Sequence, residues 1–193
     1  MKAAKFCLAM LFAPVGVGLV TLNGCGSEPT TPVQKKQLMN DSAMTLKDLE
    51  IADSTLTDKV NGASGYAILP SVASGAVGVK IESGNGDVFQ GGKYIGTCHL
   101  GAGDVGVSLG GQTYSELILF ETPQALADFE NNTFKFDASA SAVALQSGAA
   151  ATAKFDKGIL VFKHTTGGAM FDASIGGQQI TFKAANPQPA TQP

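Results

Sequence analysis

Twenty-four glycines in a chain of 193 residues constrain the fold more than any other feature, because many fall inside stretches that otherwise alternate like β-strands. Glycine weakens a strand unless the backbone must bend sharply or another surface must come close. The pairs Gly91-Gly92, Gly110-Gly111, Gly167-Gly168 and Gly176-Gly177 fit sharp turns, bulges and strand coiling. Strand-like patterning begins after Gly65, with an apolar run Tyr66–Leu69 ending at Pro70 and an alternating run Ala76–Ile81. Ser83-Gly84-Asn85-Gly86-Asp87 then reads as a hairpin turn leading into Val88-Phe89. Further strands are predicted over 94–100, 105–109, 114–120, 158–163, 169–175 and 179–182, with Phe134–Phe136 and an Ala/Ser-rich stretch between. The reading is an α+β fold built on a strongly curved, glycine-rich antiparallel β-sheet, open or barrel-like, whose strand order the sequence leaves undetermined.

Two helices accompany this sheet. Thr31-Pro32-Val33-Gln34 has the signature of a helix start, with Thr31 at the N-cap, Pro32 at N1 and Gln34 closing a capping box. Leu38, Leu46, Leu49, Leu56 and Val60 follow on one amphipathic stripe, with Met39, Ala43 and Ala52 beside it, and Asn61-Gly62 supplies a stop. The Asp53-Ser54 step is a point where the helix can divide. The stripe covers the core of the domain on this reading; a membrane-surface helix is the rival, disfavoured by a polar face mixing Lys47 and Lys59 with Asp48, Glu50 and Asp58. Thr122-Pro123 opens a second, short helix through Phe129. The proline-bearing tail from Asn186 to Pro193 is expected to be disordered.

The N-terminus carries an address. Lys2 and Lys5 precede an apolar run from Phe6 to Leu22, the arrangement of a secretory signal. Leu22-Asn23-Gly24-Cys25 resembles a bacterial lipobox, in which the cysteine becomes the first mature residue and is acylated. Asn23 stands where Ala, Ser or Thr is usual, which bears on processing efficiency. An uncleaved membrane anchor is the competing reading, weakened by Pro14 and the glycines and by a length at the short limit of about 17–25 residues for a span. Residues 1–24 are thus read as a signal peptide, 25–31 as a lipidated tether, 32–183 as one domain and 184–193 as a tail. No aspartate follows Cys25, where Gly26 and Ser27 stand, and this favours outer-membrane sorting, with the domain facing the periplasm.

Charge narrows the partners. Losing Lys2 and Lys5 with the leader takes the formal charge from −3 to −5. All basic residues are lysine, so the chain lacks both a basic footprint for nucleic acid and the guanidinium fork suited to bidentate phosphate. Lysine still binds phosphate as a point charge, which leaves lipid headgroups open. With Cys7 in the leader and Cys25 acylated, Cys98 is left without an internal disulfide partner and reads as a small buried hydrophobe. Its neighbour His99 is not part of any zinc-ligand spacing.

Two motifs invite catalytic readings. Gly101-Ala102-Gly103-Asp104-Val105-Gly106 matches the dinucleotide pattern, but that pattern needs a helix to follow, and Val107–Gly111 alternates like a strand. Gly106-Val107-Ser108-Leu109-Gly110 matches the nucleophile elbow, with Asp128, Asp137, Asp156 and His164 downstream. The elbow must join a strand to a helix in an α/β sheet, and no βα alternation is present here. No carboxylate pair, metal cluster or phosphate loop stands out, so neither catalysis nor a cofactor is expected.

Gly65-Tyr66-Ala67-Ile68-Leu69-Pro70, the glycine-spaced Gly75-Ala76-Val77-Gly78-Val79, and Val105–Phe120 with its Gly110-Gly111-Gln112 core together resemble the SYLF family of lipid-binding domains. Pro123–Phe129 fits that family's short helix, and Phe155–Phe162 and Gly167–Gly176 its closing strands. Cys98-His99-Leu100-Gly101 departs from the aromatic and proline the family often carries before the core. The resemblance implies phospholipid binding without catalytic residues, and a bacterial lipoprotein member whose partner is membrane phospholipid. Cys25 is the lipidation site on this reading, and Lys35, Lys36 and Lys59, on the helices or near the tether, are the candidate headgroup contacts. A structural or protein-interaction module of the envelope, using a sheet edge or the Ala138–Ala153 stretch, is the alternative.

Overall fold

The computed structural model describes residues 28–132, 142–175 and 178–185. Helix α1 (Pro32–Ala52) starts as the sequence predicts: the Thr31 hydroxyl accepts from the Gln34 amide while the Gln34 side chain accepts from the Thr31 amide, at 3.2 and 3.0 Å. The chain does divide after Ala52, and α2 (Leu56–Gly62) follows. The division is fixed by Asp53, a buried residue whose carboxylate accepts from the Thr55 hydroxyl and amide at 2.7 and 3.0 Å and from the distant Ala150 amide at 2.7 Å. Burial pushes its pKa up, but these donors outweigh burial and hold it below the ordinary value.

Strands β1 (Gly65–Gln90) and β2 (Lys93–Phe120) form one very long antiparallel hairpin. The turn expected at Ser83–Asp87 is therefore strand; the chain reverses at Gly91-Gly92, where φ is +54° and +76°, a left-handed pair that glycine adopts without strain. The separate strands predicted over 94–100, 105–109 and 114–120 are likewise one continuous β2. After α3 (Pro123–Glu130), capped by Thr122 as predicted, come β3 (Ala142–Ala144), the short α4 (Ala149–Thr152), β4 (Ile159–Ile175) and β5 (Gln179–Ala184). Phe134–Phe136, Cys25 and the Asn186–Pro193 tail lie outside the described residues.

β2 is the spine. It pairs with β1 from end to end except at the bend, where Gly106–Ser108 have no β1 partner; along its other edge, Val105–Phe120 pairs with β4 and Gly96–Gly101 with β5. β3 adds to β4 in parallel, so the sheet is mixed rather than purely antiparallel. Its order β1-β2-β4-β3, with β5 on β2, does not close into a barrel. Curvature is nevertheless extreme. Register shifts break the β1–β2 ladder after Leu69 and after Val77, and the ribbon folds back on itself. A Cβ on Gly86 would overlap the Ile68 carbonyl oxygen, and one on Gly84 would stand 2.8 Å from Val72 Cγ2. Glycine here permits the two halves of one strand to touch, which is why a turn-like sequence occupies a strand.

Folding back creates an interior. Ala67, Leu69, Val72, Ile118, Phe120 and Val161 of one layer meet Val88, Cys98, Leu100 and Ile180 of the other, with Leu126 and Phe129 of α3 closing the end. The opposite face of the first layer, with Ile68, Leu117, Leu119, Leu160 and Phe162, is covered by Leu49 of α1, Leu56 of α2 and Ala150 of α4. Both faces are buried there, so Leu117-Ile118-Leu119-Phe120 is a continuous apolar run rather than an alternating one. Asn132, in the left-handed region at φ 54°, pins β5: its side-chain oxygen accepts from the Phe182 amide at 2.6 Å.

Contact between α1 and the sheet is sparse, and its buried residues are Ser42 and Leu49. The Ser42 hydroxyl donates to Asp87 Oδ2 at 2.7 Å. Burial pushes Asp87 from 3.8 up to about 6, against the opposing pull of the Ser42 hydrogen bond. A carboxyl raised in the folded state favours folding in its protonated form, so this contribution is full below pH 3.8 and is lost as pH rises through about 6. Asp87→Asn is expected to remove that loss, raising stability at pH 7 by on the order of 1–2 kcal/mol and flattening the slope between about pH 5 and 7. Urea unfolding of both proteins across that range checks it; parallel pH profiles would contradict it.

Candidate functional site

The lysines named from sequence are not brought together. Lys35 and Lys36 are exposed near the start of α1, whereas Lys59 lies on α2 beyond its other end. At about 1.5 Å rise per residue, the length of α1 alone separates them by roughly 25 Å. Lys59 is also engaged: its Nζ donates to the Ala153 carbonyl at 3.0 Å and lies 6.0 Å from the centre of the Phe155 ring. It ties α2 to the segment after α4, away from Lys35 and Lys36.

Lys35 gains different company. Glu28 and Pro29, from the segment before α1, lie in a cleft of about 70 Å³ lined also by Lys35, Tyr94, Thr97 and Lys183. Lys183 Nζ is 3.2 Å from Glu28 Oε2. The cleft exists because β5 pairs with Gly96–Gly101 of β2, which places Lys183 opposite Thr97, and the Ala185 amide extends that contact onto the Ile95 carbonyl at 2.9 Å. Exposed Lys36 and Lys93 adjoin the cleft in sequence, so this end of the domain carries four lysines. The first turn of α1 holds no acidic residue, and cations near a helix N-terminus oppose its dipole. Lys35 and Lys36 are thus placed against, not for, helix stability. Sequence reading missed Lys183 because only the β2–β5 pairing brings it here, and Lys93 because its place at the hairpin tip follows from the reversal at Gly91-Gly92.

A second constellation lies inside the fold, at the bend end of the ribbon. Tyr114 Oη donates to Glu82 Oε1 at 3.0 Å, and Gln178 Nε2 donates to Tyr114 Oη at 3.0 Å and to Glu116 Oε2 at 3.2 Å. Lys80 pairs with Glu82 at 3.3 Å, and Lys163 with Glu116 at 3.5 Å while standing 4.8 Å from the centre of the Tyr114 ring. Two buried carboxylates, two ammonium groups, a phenol and an amide therefore bridge the layers, with formal charges that cancel. Burial raises the pKa of Glu116, with Lys163 opposing. Burial, then Glu116 and Glu82, also raises that of Tyr114, which stays a neutral donor. The carboxylate pair is invisible in sequence because its members sit on different strands.

The catalytic motifs stay in strand. Residues 101–110 lie wholly within β2, so no helix follows the Gly101–Gly106 pattern, and the backbone of Ser108 is paired with that of Asp172. Cys98 is buried and free, and burial pushes its thiol far above the usual range, leaving it a packing residue. His99 Nδ1 lies 2.9 Å from Asn85 Oδ1, its cross-strand neighbour. Among the described residues no group of three or more His, Cys, Asp or Glu could hold a metal, and no helix is long and apolar enough to cross a membrane. A comparison with protein-family models and with curated proteins finds no match for this chain.

Proposed function

We propose that this chain is a lipid-anchored envelope protein, acylated at Cys25, whose SYLF-like domain binds phospholipid headgroups and performs no catalysis. The observation that carries this reading is the lysine-lined cleft at the point where the tether leaves the domain. Glu28 is three residues from Cys25, a reach of about 10 Å. An anchor at Cys25 holds Lys35, Lys36, Lys93 and Lys183 at the bilayer surface. Each lysine near an anionic surface contributes about 1 kcal/mol, weakened by salt. The anchor supplies the bulk of membrane affinity, so weak headgroup recognition suffices. The sorting residues Gly26 and Ser27 support an outer-membrane site facing the periplasm.

The test uses the mature protein with Cys25→Ser, so that binding reports the domain alone. Co-sedimentation with phosphatidylglycerol-containing vesicles is expected to exceed that with phosphatidylcholine alone. Replacing all four lysines by glutamine should lower it more than tenfold, about a 1.4 kcal/mol effect and a conservative fraction of the four contributions. Equal binding by the quadruple variant contradicts the reading.

A protein-interaction module is favoured by a different observation. Val77, Val79, Ile81 and Leu109 are 87%, 50%, 64% and 65% exposed on the outer surface of the ribbon's bend. Val77 pairs directly with Leu109, making the patch continuous across β1 and β2. It lies about 35 Å along the ribbon from the hairpin tip, away from the lysine-lined end. Photo-cross-linking from position 79 in cells that captures a protein while no lipid co-purifies would favour this second reading.

A further inference from the structure

The cleft beside the tether contains a carboxylate where an outside anion would be expected. Glu28 Oε2 sits 3.2 Å from Lys183 Nζ, and both side chains are open to water, 47% and 71% exposed. An exposed pair of this kind contributes little to folding, so the contact is weak as a structural strap. Lys35, which also lines the cleft, joins no ion pair among the described residues. Beside Pro29, Ala184 and Ala185, the lining includes Tyr94 and Thr97, whose side chains carry hydroxyl groups able to donate to an oxyanion. The cleft thus offers two ammonium groups and only one carboxylate, leaving an uncompensated positive charge. A free volume of about 70 Å³ holds roughly four or five water-sized groups. That is room for a phosphate group but not for a whole lipid.

We infer that this cleft is a phosphate-ester site in which Glu28 of the tether is an internal stand-in for the ligand. The inference rests on the headgroup reading above and adds both the ligand chemistry and its regulation. The ammonium groups of Lys35 and Lys183, with Tyr94 and Thr97, receive the phosphate oxygens. Glu28 competes for Lys183 until an anion displaces it. Displacement frees the Glu28-Pro29 segment from the domain surface, so ligand binding lengthens the effective tether.

Opposite signs for the acidic and the basic charge-removing variants separate this from a structural salt bridge. The full chain is held by its anchor in phosphatidylcholine nanodiscs, and inorganic phosphate is titrated while the amide resonances of Tyr94 and Thr97 are followed. Glu28→Gln is expected to tighten phosphate binding about fivefold, the upper end for an exposed ion pair. Lys183→Gln and Lys35→Gln are each expected to weaken it by at least that factor. A second arm compares nanodiscs with and without phosphatidylglycerol. Resonance shifts there without added phosphate identify the lipid as the source of the phosphate, whereas shifts with inorganic phosphate alone identify a free-anion site, which overturns the lipid-ester part of the inference and leaves only the Glu28 stand-in. Anionic-lipid binding that Glu28→Gln leaves unchanged or weakens overturns the stand-in but spares the headgroup reading. No shift in either arm overturns both.

Discussion

Gly86→Ala is expected to destabilise the domain by on the order of 4 kcal/mol or more, the range reserved for severe steric conflicts in a core. The new methyl group would overlap the Ile68 carbonyl oxygen and stand 2.8 Å from Leu69 Cγ and 3.0 Å from Cys98 Sγ. None of these three can withdraw cheaply. Ile68 is fixed by its pairing with Leu117, while Leu69 and Cys98 are both buried in the interior. Gly75, in the same strand, is the matched control, since a Cβ there meets nothing within 4 Å. Gly75→Ala is expected to be neutral or mildly stabilising, because alanine restricts the unfolded chain more than glycine does. Guanidinium unfolding of the two variants decides the matter. Equal effects would mean that β1 does not fold back on itself.

Glu82→Ala has the second largest expected effect, a loss of about 3 kcal/mol, at the low end for breaking a buried ion pair. Lys80 and Glu82 have side chains only 5% and 1% exposed, and Glu82 also accepts the Tyr114 hydroxyl. Truncation deprives a buried ammonium and a buried phenol of their shared acceptor. Lys80 keeps further contacts, which places the cost at the low end. The double variant Lys80→Met with Glu82→Leu is expected to recover most of the loss, since apolar side chains of similar size replace buried ion pairs at little net cost. A double variant no better than Glu82→Ala would show that Glu82 acts through something other than its pairing with Lys80.

Local chemistry was legible in the sequence where it is self-contained. The Thr31 and Thr122 caps, the break at Asp53-Ser54 and the burial of Cys98 each depend on a few neighbouring residues, and each stands in the structure. The strand-bound context of both glycine motifs was legible for the same reason. Ser83–Asp87 misleads because its glycines satisfy two different needs. Turn propensity reads them as a reversal, whereas Gly84 and Gly86 are small so that Val72 and Ile68 can come close. Tertiary contact overrides local preference there, and the reversal falls to Gly91-Gly92.

Sites fared less well, for a physical reason. Lys59 looked equivalent to Lys35 and Lys36 by charge, but proximity to Phe155 and Ala153 arises only once α4 is placed. Lys183 and Glu116 gain their roles from pairings across β2 that no local pattern records. One signal was available, Glu116 preceding an unbroken apolar run; at Lys80 and Glu82 the alternation misleads, because it puts the charges outward, whereas the structure buries them and exposes Val77, Val79 and Ile81. Charged residues on the inward phase of a strand need partners, and finding them is a question of register.

Bilayer orientation tests the central claim most directly. A fluorophore is placed by cysteine substitution at Lys93, beside the lysine-lined cleft, or at Val77, on the apolar bend, in the anchored full chain with buried Cys98 retained. Lipids carrying a headgroup quencher should quench the label at position 93 strongly and the label at position 77 weakly. Strong quenching at position 77 with none at position 93 would put the apolar bend against the bilayer and contradict the account.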